Sequence, residues 1–228
     1  MKTKLTLLAS TTLALLALSA PAQAAGSGWY VNLSGGANWL ANDDGFFAST
    51  IGGDTLAFTP DSDTGWMISG AVGLSLNNMV QGLRVEAEVG YRNNQVDGIW
   101  TSSTGASDSG LLDYEHSTLS VMANVWYDFD LGNVRPYVGG GVGWAETELD
   151  GAFLGGTIPA ISHSDDGFAW QLGAGLNFAI SPNVQLGVGY RYFEGPEVNI
   201  GAPFGANGAT GDVENQNHTA VVSLTYGM

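Results

Sequence analysis

The stretch Leu83 to Arg92, LRVEAEVGYR, alternates without a break: Leu83, Val85, Ala87, Val89 and Tyr91 are apolar or amphipathic, while Arg84, Glu86, Glu88 and Arg92 carry full charges. Successive side chains of a β-strand point to opposite faces, so this stretch reads as a strand with two chemically distinct sides. The pattern recurs in eight segments: 29–40, 65–76, 82–96, 114–130, 135–149, 167–180, 183–194 and 216–228. The connections after the second, fourth and sixth are short (NNMVQ, LGNV, SP), and those after the first, third, fifth and seventh run to a dozen residues or more. Short turns at one end and long loops at the other describe an antiparallel up-and-down meander. No long window shows the 3.6-residue apolar period of a helix, and glycine is abundant at 34 residues. The fold class is all-β.

Two closed architectures use such strands. A soluble barrel turns its large apolar face inward, and an outer-membrane barrel turns it toward lipid. A water-facing surface is densely charged, but here the polar faces are mostly Gly, Ser, Asn, Thr and Gln. Aromatic residues stand near the ends of the apolar faces, among them Trp29, Trp39, Trp66, Tyr127, Phe129, Trp144, Phe168, Tyr190 and Tyr226, as in interfacial girdles. The strands also exceed the ~9–11 residues that a tilted strand needs to cross a bilayer. The apolar set of LRVEAEVGYR is therefore expected to meet lipid, and its charges to lie inside. A sheet spanning hydrocarbon must close, so the last strand is expected to pair with the first.

The N-terminus reads differently. Lys2 and Lys4 precede an apolar run from Leu5 to Leu18 and the small-residue site Ala22-Gln23-Ala24, the order of a secretory signal. The run is shorter than the ~20 residues of a membrane anchor helix. Residues 1–24 are expected to be removed, leaving 25–228 as one barrel domain outside the cytoplasm, with no lysine beyond residue 4.

NVWYDFD (124–130), RPYVGGGVGWA (135–145), GVGYRYF (187–193) and HTAVVSLTYGM (218–228) resemble the small eight-stranded outer-membrane barrels of Gram-negative bacteria, the superfamily of the OmpA transmembrane domain, OmpX and the opacity-type porin-like surface antigens. The resemblance spans the whole expected mature chain. It implies short periplasmic turns, four long extracellular loops and contact with outer-membrane lipids and lipopolysaccharide. It also implies a C-terminal strand read by the barrel-assembly machinery, here Val222, Leu224, Tyr226 and Met228, the last standing where such proteins usually have phenylalanine. The OmpA type carries a periplasmic domain after the barrel; here the barrel is the expected end, with no peptidoglycan attachment.

The interior of an eight-stranded barrel is just wide enough to be filled by side chains. Charges there must be paired. Arg84, Glu86, Glu88, Arg92, Asp128 and Arg191 form the expected lumen network, with Arg191 reaching Glu86 or Glu88 and Arg84 meeting Asp128. Such a network holds the barrel shut or lines a narrow path for ions or small polar solutes; the plug is the favoured reading.

The net charge of −16 excludes nucleic acid as a partner, because phosphate neutralisation needs basic residues. Much of the acid lies in the expected loops, including Asp43, Asp44, Asp54, Asp61 and Asp63 in the first. A solvated, repulsive surface is the plain reading, and divalent-cation bridging to lipopolysaccharide the sharper one. DSDTG (61–65) matches the start of a calcium loop but lacks its remaining ligands. No cysteine is present, and His116, His163 and His218 form no catalytic motif with serine. The expectation is a non-enzymatic monomer without cofactor or metal, acting in membrane integrity, adhesion or contact with a host or environmental surface ligand.

Overall fold

The computed structural model describes residues 28–41, 47–51, 54–102, 107–153, 161–200 and 211–227. Within them run twelve strands: β1 (Trp29–Leu40), β2 (Phe47–Ile51), β3 (Asp54–Ser62), β4 (Gly65–Ser75), β5 (Leu83–Ser102), β6 (Ser107–Asp128), β7 (Val134–Phe153), β8 (Ile161–Ser181), β9 (Val184–Glu194), β10 (Val198–Ile200), β11 (Gly211–Val213) and β12 (Gln216–Gly227). Eight are staves in the cyclic order β1-β4-β5-β6-β7-β8-β9-β12, every neighbour antiparallel. The pairing of β1 with β12 runs from Tyr30–Gly227 to Leu40–Asn217, so the barrel has no open edge at membrane depth.

Register sets the tilt. Followed once around, the paired positions run Asn38, Thr219, Arg191, Gly173, Gly139, Trp126, Arg84, Ser75 and back to β1 at Gly28, ten residues below the start. Such a stagger inclines the staves by roughly 40° in a closed sheet of this size. From Val134 to Trp144 the outward face of β7 is apolar, and at ~3.3 Å per residue along a tilted strand it covers roughly 25 Å, the height of an outer-membrane apolar band. Above Trp144 the same face carries Glu146, Glu148 and Asp150, which marks the upper edge of the hydrocarbon. The membrane-crossing segments are thus 29–39, 66–74, 83–91, 119–129, 134–144, 168–180, 184–192 and 218–226.

The apolar sets face outward and the polar sets inward. Val121, Leu172, Val188 and Val222 are among the exposed side chains, whereas Glu88, Arg92, Asn124 and Gln171 are buried. The turns at the lower end use glycine where the backbone demands it: Gly82 and Gly132 have φ of 84° and 89°, values that L side chains rarely adopt.

The staves depart from the sequence reading at their upper ends. β5 to β8 continue past the girdle, and only residues 103–106 separate β5 from β6, where a loop of a dozen residues was expected. The segment read as the first loop holds β2 and β3, with β3 paired to β5 over Leu56–Ser62. Above the membrane a strand needs only backbone partners. Its side chains need not alternate in polarity, so the periodicity that reveals a stave stops at the lipid boundary.

Candidate functional site

The lumen is crossed by three stacked layers. At the short-turn end a vestibule of about 760 Å³, lined among others by Tyr30, Arg84, Asp128, Gln185 and Thr225, leads up to the first. Arg84 grips Asp128 through two hydrogen bonds, Nε to Oδ2 at 2.6 Å and Nη2 to Oδ1 at 3.0 Å, the fork geometry that guanidinium offers a carboxylate. Its Nη1 donates to Glu86 Oε1 at 3.0 Å. Glu86 also accepts from the Tyr30 hydroxyl and the Trp126 indole, each at 2.8 Å.

In the second layer Arg191 Nη1 donates to Glu88 Oε2 at 2.7 Å, with both side chains almost fully buried. Gln171 Nε2 reaches Glu88 Oε1 (3.2 Å) and Asn124 Oδ1 (2.7 Å). Arg191 touches Glu88 and not Glu86. Arg92 stacks on the Phe193 ring, its guanidinium carbon 3.7 Å from the centroid, and donates to Ser120 Oγ at 3.1 Å. Among the described residues Arg92 makes no ion pair, against the expectation that every lumen charge would find one. Its position explains this: Arg92 lies two pleat repeats above Glu88, with Gly90 between them, and Arg191 from the opposite wall bonds that carboxylate.

Glycines make room for these groups. A Cβ on Gly173 would lie 3.1 Å from Trp126 Cη2 and 3.2 Å from Arg191 Cγ. Gly173→Ala is expected to lower stability by about 1–2 kcal/mol through overpacking, measured as a shift in the urea unfolding midpoint of the refolded protein.

The third layer is uncharged. Asn38 Nδ2 donates to Asn94 Oδ1 (2.6 Å) and Asn217 Oδ1 (2.7 Å), and Asn217 donates to Asn215 Oδ1 at 2.6 Å. Asn215 Nδ2 closes on Thr147 and Thr118 at 2.7 and 3.1 Å. This amide and hydroxyl plate spans from β1 and β5 through β12 to β6 and β7. Level with it stands His116, 1% exposed, with neither ring nitrogen hydrogen-bonded; burial pushes its pKa down to about 4.

Outside the barrel, a collar of carboxylates sits above the aromatic girdle. Glu115, Glu146, Glu148, Asp150, Asp166 and Glu194 share the outward face, and Trp144 Nε1 donates to Asp166 at 2.9 Å. Burial, then Glu146 and Asp150, hold the Glu148 carboxyl above its usual range. Of the acids expected in the first loop, Asp63 is exposed, Asp54 and Asp61 stand on β3 opposite Ile51 and Asp97, and Asp43 and Asp44 lie outside the described residues. Val222, Leu224 and Tyr226 are exposed on the outward face of β12; Met228 and the expected signal segment lie outside the described residues. Among the described residues no three carboxylates or histidines converge as metal ligands would.

This closed, tilted, eight-stave barrel with an apolar outer belt and a polar filled lumen has known counterparts. A family model described as an outer membrane protein beta-barrel domain matches residues 10–226. The chain belongs to that family. It is 28% identical over 249 residues to an outer membrane protein of Gluconacetobacter diazotrophicus, an alignment that covers 99% of this chain and 64% of the relative. PagN, an outer membrane protein of Salmonella typhimurium, is 32% identical over 87 residues, 35% of either chain. The chain thus spans less than two thirds of the length of these curated relatives. Among solved structures, OprG from Pseudomonas aeruginosa superposes with a TM-score of 0.52 at 17% identity, covering 88% of this chain and 96% of that one. Neisserial surface protein A gives 0.50 at 18%, covering 89% and 98%. These two likenesses carry the fold alone. Family membership places the protein in the outer membrane of a Gram-negative bacterium.

The first two layers contain the charged residues picked from sequence for the lumen network; the third contains none of them. Asn94, Asn215, Asn217, Thr118 and Thr147 are neutral, and a search for lumen charges passes over them. The usable signal was parity: Asn94 continues the inward series Arg84 to Arg92, and Asn217 that of Thr219 and Val221.

Proposed function

We propose that this outer-membrane barrel is a non-enzymatic surface protein whose rigid, sealed body holds an acidic outer end at the cell surface. The observation that carries the reading is the lumen, crossed by side-chain networks at three levels and bearing, among the described residues, Arg84, Arg92 and Arg191 against Glu86, Glu88 and Asp128. A scaffold of this kind adds rigidity and presents loops, which carry recognition because they tolerate variation. Lipopolysaccharide and outer-membrane lipids surround the belt and collar, the outward series of β12 meets the assembly machinery, and a host or environmental surface ligand meets the loops. The barrel acts as a monomer. Against catalysis, the histidines stand apart: His116 is buried and unpartnered, His163 lies across β7 from it in register, and His218 on the outer face meets the Tyr190 hydroxyl.

The test is single-channel recording of the refolded chain, residues 25–228, in a planar bilayer, with folding verified by circular dichroism. Silence is the expected result. Reproducible discrete conductance steps would overturn the sealed reading in favour of a narrow channel for ions or small polar solutes.

A further inference from the structure

The short-turn end of the barrel carries an apolar patch that the belt does not account for. Beyond the aromatic pair Tyr127 and Phe129, the turn between β4 and β5 exposes Met79 by 81% and Val80 by 48%, and the turn between β6 and β7 exposes Leu131 by 72%. Turns that stand in water are ordinarily polar, and large apolar side chains gathered in one exposed place mark a surface of contact. The two turns are neighbours: the Asp128 N–H donates to the Gly82 carbonyl at 2.8 Å. The third turn, SPN (181–183), carries no exposed large aliphatic side chain.

Each of the two turns has two sides. Asn77, Gln81 and Asp130 line the vestibule, whereas Met79, Val80 and Leu131 do not. Polar side chains thus face the lumen mouth and apolar ones face away, the same division that the staves make within the membrane. The backbone is suited to a dry surrounding. The N–H groups of Met79 and Val80 both donate to the Leu76 carbonyl, at 2.8 and 2.9 Å. That of Gly82 donates to Asn77 Oδ1 at 2.8 Å, and that of Gly132 to Asp130 Oδ1 at 3.2 Å. Polar groups satisfied within the turn lose little on leaving water.

Continuity identifies what covers the patch. Phe129 meets Tyr127 edge-on with ring centroids 5.0 Å apart, and exposed Phe129 and Val134 flank Leu131 in sequence and join it to the lipid-facing belt. Charge does not interrupt the path: among the described residues the well-exposed charges of this rim are Asp130 and Arg135, which offset each other at 3.7 Å. We propose that Met79, Val80 and Leu131 form a membrane contact, inserted at the boundary of headgroups and acyl chains in the phospholipid leaflet at the short-turn end. The two turns then anchor this side of the barrel in the bilayer instead of standing in water. The contact is independent of whether the lumen conducts and of what the loops bind.

The chain has no cysteine, so a single spin label can be placed at each turn. The refolded chain, residues 25–228, carrying Met79→Cys, Leu131→Cys or Asn183→Cys is reconstituted into vesicles of phosphatidylethanolamine and phosphatidylglycerol. Collisions of the label with oxygen, which concentrates in the bilayer, are compared with those of a water-soluble nickel chelate. The oxygen-to-nickel ratio at 79 and at 131 is expected to exceed that at 183 at least several-fold. With the label at 131 and the other two side chains native, adding Met79→Asp and Val80→Asp is expected to lower the ratio at least two-fold. Ratios at 79 and 131 no higher than at 183 would overturn the proposal and leave the patch to water or to a protein partner. A ratio at 131 unchanged by the two aspartates would overturn it as well, since these side chains would then not hold the turns in the bilayer.

Discussion

Arg191→Met is expected to cost about 3–5 kcal/mol of folded stability, because it strands the Glu88 carboxylate in the barrel interior with its cation removed. The two groups lie 103 positions apart in sequence and come from opposite walls. Their contact therefore forms only when the barrel has closed, and the denatured chain has no equivalent. Glu88→Gln in the same background is expected to recover most of the loss. The amide keeps an oxygen for Gln171 Nε2, now 3.2 Å from Glu88 Oε1, and no carboxylate is left stranded. The measurement is a double-mutant cycle by urea unfolding in lipid vesicles, with a coupling energy well above the ~1 kcal/mol of an exposed pair. A single-variant cost below about 1 kcal/mol would mean that water reaches the pair from bulk, and the sealed-lumen reading would fall with it.

How far the sequence foretold this arrangement depends on where lipid is. Within the membrane every stave must be apolar outside and accommodate a narrow interior, and both demands write themselves into alternate positions. Leu172, Ala174, Leu176 and Phe178 against Gln171, Gly173, Gly175 and Asn177 make the facing of β8 readable from the chain alone. The charges of LRVEAEVGYR could be placed inside on the same ground. Three things were not legible. Above the girdle both faces of β5 and β6 are free of lipid, so their added length and the β2–β3 hairpin left no periodic trace. The choice between Glu86 and Glu88 for Arg191, and the lack of an ion pair at Arg92, depend on the ten-residue stagger, which follows from closure and not from any one strand. That stagger gives Glu88 to Arg191 and leaves Arg92 over Phe193. Finally, the amide plate uses residue types equally common in loops, and Asn215 lies just before β12 begins.

Between pH 6.5 and about 4 the protein is expected to lose up to about 3 kcal/mol through a single side chain, His116. The imidazole is buried in the upper barrel with no hydrogen-bond partner, and burial lowers its pKa from 6.5 to about 4. In that window the unfolded chain takes up a proton at this position and the folded chain does not, so acid favours unfolding. The loss begins as pH falls through the unfolded value and is complete near the folded one. The collar acts in the opposite sense. The Glu148 carboxyl is held above its usual range by partial burial and its acidic neighbours, so its protonation relieves repulsion in the folded state. The raw pH profile of stability therefore mixes two slopes, and the difference between wild type and His116→Leu separates them. Leucine keeps the apolar volume and cannot titrate, so the gap between the two unfolding midpoints is expected to change steeply below pH 6.5 and flatten near pH 4. A histidine ring signal of the folded protein that titrates near pH 6 and is lost in His116→Leu would refute this account, since it would require water or a carboxylate at the imidazole in a part of the barrel that the amide plate closes.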